Sequence, residues 1–233
     1  MHKLLIFFLT VTFFSCDVLQ EVQQTVMNEP SSSEIAQGLK EALNLGISKG
    51  SDLLSQKDGY YKSAYKILLP EEARKVTDKL KVIPGFSNVE EVIVEKLNRA
   101  AEDAATAAKP IFVSAIKGMT FQDALNILMG QKNAATTYLK SSTYDGLYEA
   151  FLPEIVKSLD KFNALEYWSK ATTAYNKLPF VDKVNTQLDD YVTSEALDGL
   201  FGIVEKEELA IRQDPAVRVS ALLKKVFAKQ DAS

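Results

Sequence analysis

The chain has 233 residues, with 27 lysine and arginine side chains against 31 aspartate and glutamate side chains and a formal net charge of −4. A mildly acidic chain with no basic block argues against a nucleic-acid partner, because such binding depends on neutralising phosphates. The only histidine is His2 and the only cysteine is Cys16, so a mature chain lacking residues 1–15 excludes Ser-His-Asp and Cys-His catalysis, zinc sites built on His or Cys, and internal disulfides.

The N-terminus has the layout of a bacterial secretory signal that ends at a lipidated cysteine. His2 and Lys3 supply the positive start, residues 4–14 form an apolar run, and Ser15 precedes Cys16. A membrane-spanning helix needs about 20 apolar residues, and this run is too short for one. We expect residues 1–15 to be removed and Cys16 to hold the protein in the bacterial cell envelope, on the periplasmic side of the outer or inner membrane. The alternative is an ordinary secretory signal with a chance cysteine.

Residues 16–33 are typical of a flexible tether. They are rich in glutamine and close with Pro30 and three serines. We interpret residues 34–233 as a single helical domain. The membrane is therefore an expected partner through the N-terminal lipid, and we expect neither a cofactor nor a metal.

Nearly every segment after residue 33 has the apolar period of a helix. Ser33 before Glu34 suits an N-cap, and Pro70, followed by two glutamates, suits the first turn of another helix. No run alternates polar and apolar residues for long enough to predict a strand. The sequence therefore predicts an all-α, multi-helix bundle built from helical hairpins.

A long alanine-rich helix is predicted next. It begins at Ser87 or Asn88 and runs to Lys109, where Pro110 ends or kinks it.

Two later helices have recognisable starts. Thr120, with Asp123 three residues on, resembles a capping box for a helix through Met129. Asp214 and Pro215 are expected to open the last helix.

Part of the sequence repeats itself. Residues 41–44 return as 123–126, and about twenty residues later each copy carries Tyr-x3-Tyr-x3-Leu-Pro-Glu, at 61–71 and at 144–154. A weaker third start lies at 195–198. One interpretation is a duplicated helix hairpin with a pseudo-twofold arrangement, in which Leu-Pro-Glu breaks and restarts the helix. The other is convergence on common helix-forming sequence.

An ordered series of short segments resembles a bacterial family known only as a domain of unknown function, number four-one-nine-seven. The segments are residues 38–43, 98–102, 110–112 with 115–116, 119–120 with 123–124, 135–138, 196–201, 208 with 211–212, and 214–215 with 218. The resemblance covers almost all of residues 34–229. It implies a helical, exported protein, often with a lipoprotein-type start, and it brings no established activity or catalytic residue.

Asn98, Arg99 and Glu102 form the first candidate binding cluster. Arg99 lies four residues after Glu95 and three before Glu102, so it is able to pair with both on one helix face. An arginine held in this way beside an asparagine could orient a phosphate or carboxylate ligand. The alternative is a structural ion-pair network that joins neighbouring helices.

The second candidate cluster lies near the C-terminus and comprises Glu205, Glu208, Arg212, Asp214 and Arg218. Glu208 and Arg212 have the favourable acid-first spacing of four residues, and Arg218 is placed to reach back across the turn to an acid. Glu208, Arg212 and Arg218 are candidate binding residues, and the alternative is a lock that fixes a helix corner.

The leading functional hypothesis is a lipid-anchored envelope protein that binds a protein or small-molecule partner and catalyses nothing. One alternative is a hydrolase or lyase in which Arg99 and Glu102 are the catalytic residues. Another is a carrier of an apolar ligand in a cleft between helices, which requires a large apolar cavity.

Overall fold

The computed structural model of the protein describes residues 29–182 and 188–228, and every regular element within them is helical. These residues form α1 (Ser32–Leu54), α2 (Glu71–Leu80), α3 (Val89–Ala105), α4 (Ala108–Gly118), α5 (Phe121–Leu128), α6 (Ala134–Lys161), α7 (Ala164–Tyr175), α8 (Leu188–Gln213) and α9 (Ala221–Phe227), with a 3-10 turn at Pro215–Val217. The all-α fold predicted from the sequence is confirmed. The predicted signal peptide, Cys16 and the tether as far as residue 28 lie outside the described residues.

The two longest helices, α6 and α8, form an antiparallel pair. Lys140 of α6 pairs with Asp198 of α8 at 3.0 Å, and the Tyr148 hydroxyl donates to Asp190 at 2.7 Å. Later residues of α6 therefore contact earlier residues of α8, so the two helices run in opposite directions. Helix α1 packs against α4, α5, α8 and α9 and is the central helix of this part of the bundle. Helix α3 packs against α6, while α2 and α7 pack on each other and on α3.

Capping boxes begin two of the helices. At α5, Thr120 accepts a hydrogen bond from the Asp123 amide and returns one to its carboxylate, as the sequence predicts. At α1, Ser31 rather than Ser33 is the cap, because its hydroxyl accepts from the Glu34 amide and its own amide donates to the Glu34 carboxylate at 2.7 Å. The first helix therefore starts earlier than predicted, since Glu34 occupies the third helical position that a capping box requires.

Two further predicted boundaries are wrong. The long helix ends at Ala105 instead of Lys109. Pro110 lies in the first turn of α4, where backbone N–H groups have no partner within the helix, so the N–H that proline lacks is not needed. Asp214 caps the 3-10 turn, and the last helix begins after Ser220.

The internal repeat has two different conformations. In the first copy Leu-Pro-Glu precedes a new helix, because Pro70 stands immediately before α2. In the second copy Pro153 lies inside the unbroken helix α6, so the prediction that this motif breaks the chain there is wrong. Tyr61 and Tyr65 of the first copy lie in a non-helical segment, whereas Tyr144 and Tyr148 lie on α6. The shared sequence therefore does not give a shared local structure at this motif.

Candidate functional site

The longest non-helical stretch within residues 29–182 joins α1 to α2. We call residues 55–70 the tyrosine loop, since Tyr60, Tyr61 and Tyr65 lie in it. Loops of more than about 12–15 residues without regular structure are uncommon in compact domains and are usually functional or disordered. This loop is held by several specific hydrogen bonds, so it is a candidate functional segment rather than a disordered one.

The loop begins with a tight turn at Asp58 and Gly59. Asp58 has φ +71°, a left-handed conformation that aspartate tolerates better than most residues. A Cβ atom on Gly59 would lie 2.3 Å from the Leu53 carbonyl oxygen and 2.7 Å from that of Leu54. Only glycine lets the chain pass so close to the last carbonyls of α1, and the Asp-Gly pair is the sequence signal for this turn.

Glu102 of α3 fixes the middle of the loop. One of its carboxylate oxygens accepts from the amides of Tyr60 and Tyr61, at 3.2 and 3.1 Å. The other accepts from Arg99 Nη1 at 2.7 Å. Glu102 is only 4 % exposed, so this carboxylate is a structural anchor for the loop backbone.

Arg99 joins Glu102 to the turn. Its Nη2 donates to Asp58 at 2.7 Å and to Glu95 at 3.2 Å, and its guanidinium lies 5.2 Å from the centre of the Tyr61 ring. Partial burial by itself lowers the pKa of Arg99, because it disfavours the charged form. The hydrogen bonds to Glu102 and Asp58 have the larger combined effect, and the pKa of Arg99 is raised. The bond from Arg99, with a second from Lys62, lowers the pKa of Asp58.

Asn98 and Tyr60 fix the loop at two further points. The Asn98 side chain accepts from the Ile67 amide and donates to the Ile67 carbonyl, both at 2.8 Å, and it is fully buried. The Tyr60 hydroxyl donates to the Ala196 carbonyl of α8 at 2.7 Å. Burial, together with the nearby charge of Glu102, raises the Tyr60 pKa, so this hydroxyl stays protonated as a donor. The cluster of Asn98, Arg99 and Glu102 therefore forms a structural ion-pair network, the alternative to a ligand site in the sequence analysis. It joins helix α3 to the tyrosine loop.

An open groove of about 550 Å³ lies beside this network. One wall comes from the start of the tyrosine loop, another from the exposed side of α3, and a third from Phe162 at the turn between α6 and α7. The lining side chains are Ser55, Lys57, Val92, Glu95, Lys96, Arg99, Glu102, Asp103 and Phe162. Sequence reasoning found Arg99 and Glu102 but missed Lys57, Lys96 and Phe162, because only the folded chain brings residues this far apart in sequence together.

The second cluster joins three helices. The Glu208 carboxylate accepts from the amides of Ala135 and Thr136 in the first turn of α6, at 2.9 and 2.8 Å. Arg212 pairs with Glu208 at 2.9 Å and donates to the carbonyls of Ile127 and Leu128 at the end of α5. The pair that the sequence predicts is therefore present, and it caps neighbouring helices.

The remaining residues of this cluster stabilise the chain corner after α8. Arg218 is 1 % exposed and donates to the carbonyls of Ile211 and Arg212 at 2.8 and 2.9 Å. Asp214 accepts from the Ala216 amide, and Glu205 accepts from the side chain of Asn133, the residue before α6. These contacts match the helix-corner alternative.

An apolar pocket lies where α1, α6, α8 and α9 meet, and it has an accessible volume of about 20 Å³. That is room for roughly one water molecule. This pocket is therefore not the large apolar cavity that the apolar-carrier hypothesis requires.

Two further features bear on the site. Within residues 29–182 and 188–228, no three histidine, cysteine or acidic side chains are grouped so that they could hold a metal ion. None of the helices α1–α9 in this described part combines the length and the apolar character of a membrane span.

A family model described as "Protein of unknown function (DUF4197)" matches residues 29–228, a span that contains both clusters and the groove. The family resemblance predicted from the sequence is thereby confirmed. No curated protein and no solved structure matches the chain.

Proposed function

The chain belongs to the DUF4197 family of unknown function, and we propose that its helical body is a non-catalytic module that binds a small polar ligand in the groove beside the tyrosine loop. The observation that carries this proposal is the long non-helical loop, fixed by Asn98, Arg99 and Glu102 of one helix and by Tyr60. The bonds from Arg99 to Asp58 and from the Tyr60 and Tyr61 amides to Glu102 fix the loop directly after the part that lines the groove, and preorganisation of this kind favours binding. The groove volume of about 550 Å³ lies in the range of small-molecule sites, roughly 300–1,000 Å³.

A catalytic role for Arg99 and Glu102 has less support. A general acid or base must reach the proton that it transfers. Both oxygens of Glu102 are already engaged, with two backbone amides and Arg99. The same groups that would perform carboxylate chemistry hold the loop in place, and this favours binding over a hydrolase or lyase.

The proposal includes attachment to a bacterial membrane through a lipid on Cys16. The chemistry requires a thiol, and two or more acyl chains give stable anchoring. Cys16→Ser should move the protein from the membrane fraction to the soluble periplasmic fraction and abolish incorporation of labelled palmitate. A variant that still sediments with membranes, together with a wild-type protein that takes up no palmitate, would refute the anchoring.

Ligand binding is tested by native mass spectrometry of the full chain purified from its own envelope. Val92 is a half-buried groove residue on α3, so Val92→Trp should fill the groove and remove a retained small molecule. Val219 is 75 % exposed and lies outside the groove, so Val219→Trp is the matched control and should keep the ligand. The proposal would be overturned if the wild-type protein retains no small molecule. It would also be overturned if the Val92→Trp variant retains the same molecule as the wild type.

A further inference from the structure

Positive charge gathers around the groove. Three of its lining side chains are cations, Lys57, Lys96 and Arg99. Three more lie farther out. Lys161 pairs with the lining residue Asp103, Lys62 pairs with Asp58, which itself pairs with Arg99, and Lys66 lies 4.6 Å from the centre of the Tyr61 ring. Three carboxylates also line the groove, those of Glu95, Glu102 and Asp103. The six nearby cations outnumber the four nearby carboxylates only when Asp58 and the three outer lysines are counted with the lining.

The carboxylates are more fully engaged than the cations. Glu102 is bonded to loop amides, Asp58 to Arg99 and Lys62, and Asp103 to Ser158 and Lys161. Glu95 is the exception, since its side chain is half exposed and reaches Arg99 only at 3.2 Å. The charge that a ligand would meet in the open part of the groove is therefore mainly positive.

Two lysines have capacity for a ligand. Lys57 makes no hydrogen bond or ion pair with any residue in the described ranges, and its side chain is exposed at the groove. Lys96 donates to a neutral acceptor, the Phe162 carbonyl, so its charge is not balanced by that bond. An oxyanion in the groove would accept hydrogen bonds from the ammonium groups of Lys57 and Lys96, and it would replace the Glu95 carboxylate as a partner of Arg99.

We propose that the groove binds an oxyanion, the phosphate or carboxylate group of its ligand, between Lys57, Lys96 and Arg99. This inference rests on the proposed function and specifies the ligand's chemistry. Charge-assisted bonds from arginine and lysine to oxyanions are among the strongest hydrogen bonds in proteins. A free molecule and a lipid headgroup both present this phosphate chemistry, and the probes below distinguish the two sources.

The test uses the full chain in solution and three probes: inorganic phosphate, succinate, and vesicles containing phosphatidylglycerol. Affinity is measured by calorimetric titration, or by sedimentation for vesicles, at constant ionic strength. Lys57→Ala should weaken binding about tenfold, the effect of one lost charge-assisted bond. Glu95→Gln should tighten binding several-fold, because it removes the carboxylate that competes for Arg99. Lys132 is an exposed lysine outside the groove, so Lys132→Ala is the matched control and should bind as wild type does.

The outcomes separate the ligand's source from the inference itself. Saturable binding of phosphate or succinate assigns the oxyanion to a free molecule, and binding of vesicles alone assigns it to a headgroup. Absence of binding to all three probes, or equal affinity of wild type and Lys57→Ala, overturns the inference. If native mass spectrometry still finds a retained molecule that Val92→Trp removes, the proposed function survives that failure.

Discussion

Glu208 and Arg212, one turn apart on α8, cap two other helices at opposite ends. The carboxylate lies at the N-terminus of α6 and the guanidinium at the C-terminus of α5. The helix dipole favours a negative charge at the N-terminus and a positive charge at the C-terminus, so both side chains stabilise the helix ends that they contact. Asn133, the residue before α6, makes no capping bond of its own through its side chain, so α6 takes its N-terminal cap from α8.

Glu208→Ala should therefore destabilise the protein strongly. It leaves Arg212 buried without its partner and two amides of α6 uncapped, and breaking a buried pair from one side typically costs about 3–5 kcal/mol. Urea unfolding measures the loss in free energy of unfolding. The control is Asp198→Ala, which removes an exposed pair with Lys140 and should cost less than about 1 kcal/mol. Equal effects of the two substitutions would contradict the capping role.

Replacing two glycines by alanine should have opposite effects. Gly59→Ala places a Cβ against the carbonyls at the end of α1 and should cost about 2 kcal/mol, as overpacking does. Gly146 lies within α6 with open space around its Cβ position, so Gly146→Ala should stabilise the protein by about 0.5–1 kcal/mol through helix propensity. Thermal unfolding of both variants gives the two signs, and a stable Gly59→Ala protein would rule out the crowded turn.

Tyr60→Phe isolates one attachment of the tyrosine loop. It removes the hydroxyl that donates to Ala196 but keeps the buried ring, so the expected loss is about 0.5–1.5 kcal/mol. Hydrogen exchange should speed up most at the Tyr60 and Tyr61 amides. Uniform acceleration over the whole chain would instead indicate global destabilisation.

Glu34 should make stability depend on pH in the acid range. Its bonds to Lys225 and to Ser31 lower its pKa from the ordinary 4.5 to about 2 in the folded protein. Since the folded pKa is the lower one, the contribution of Glu34 is complete above about pH 4.5 and is lost as the pH falls towards 2. The difference in unfolding free energy between wild type and Glu34→Gln should shrink over that interval. A difference that stays constant from pH 6 to pH 2 would contradict the assignment.

Local sequence signals predicted the helical character of the chain and the starts of several helices. Thr120 with Asp123 marks its helix start correctly because a capping box is satisfied by neighbouring residues alone. The signals failed where distant contacts decide. Pro153 stays inside a helix that packs along its length on other helices, and residues 106–107 form a turn where the sequence predicts a continuous helix. Tertiary packing overrides local propensity in both cases.

The site was predicted only in part for the same reason. Arg99 and Glu102 stand out because they are close in sequence, and their pairing follows from helix geometry. The tyrosine-loop amides that occupy Glu102 lie about forty residues away in the chain, so no spacing rule points to them. Lys57 and Phe162 join the groove only through the fold.

The bond between Glu34 and Lys225 joins the first described helix to the last at 2.7 Å. The two ends of the described chain therefore leave the body close together. A short linker between residues 228 and 29 would close the backbone into a ring, and new termini opened at an exposed loop would give a circular permutant that keeps every helix contact. If the N-terminal side faces a membrane, a reporter fused at the C-terminal side would face it too.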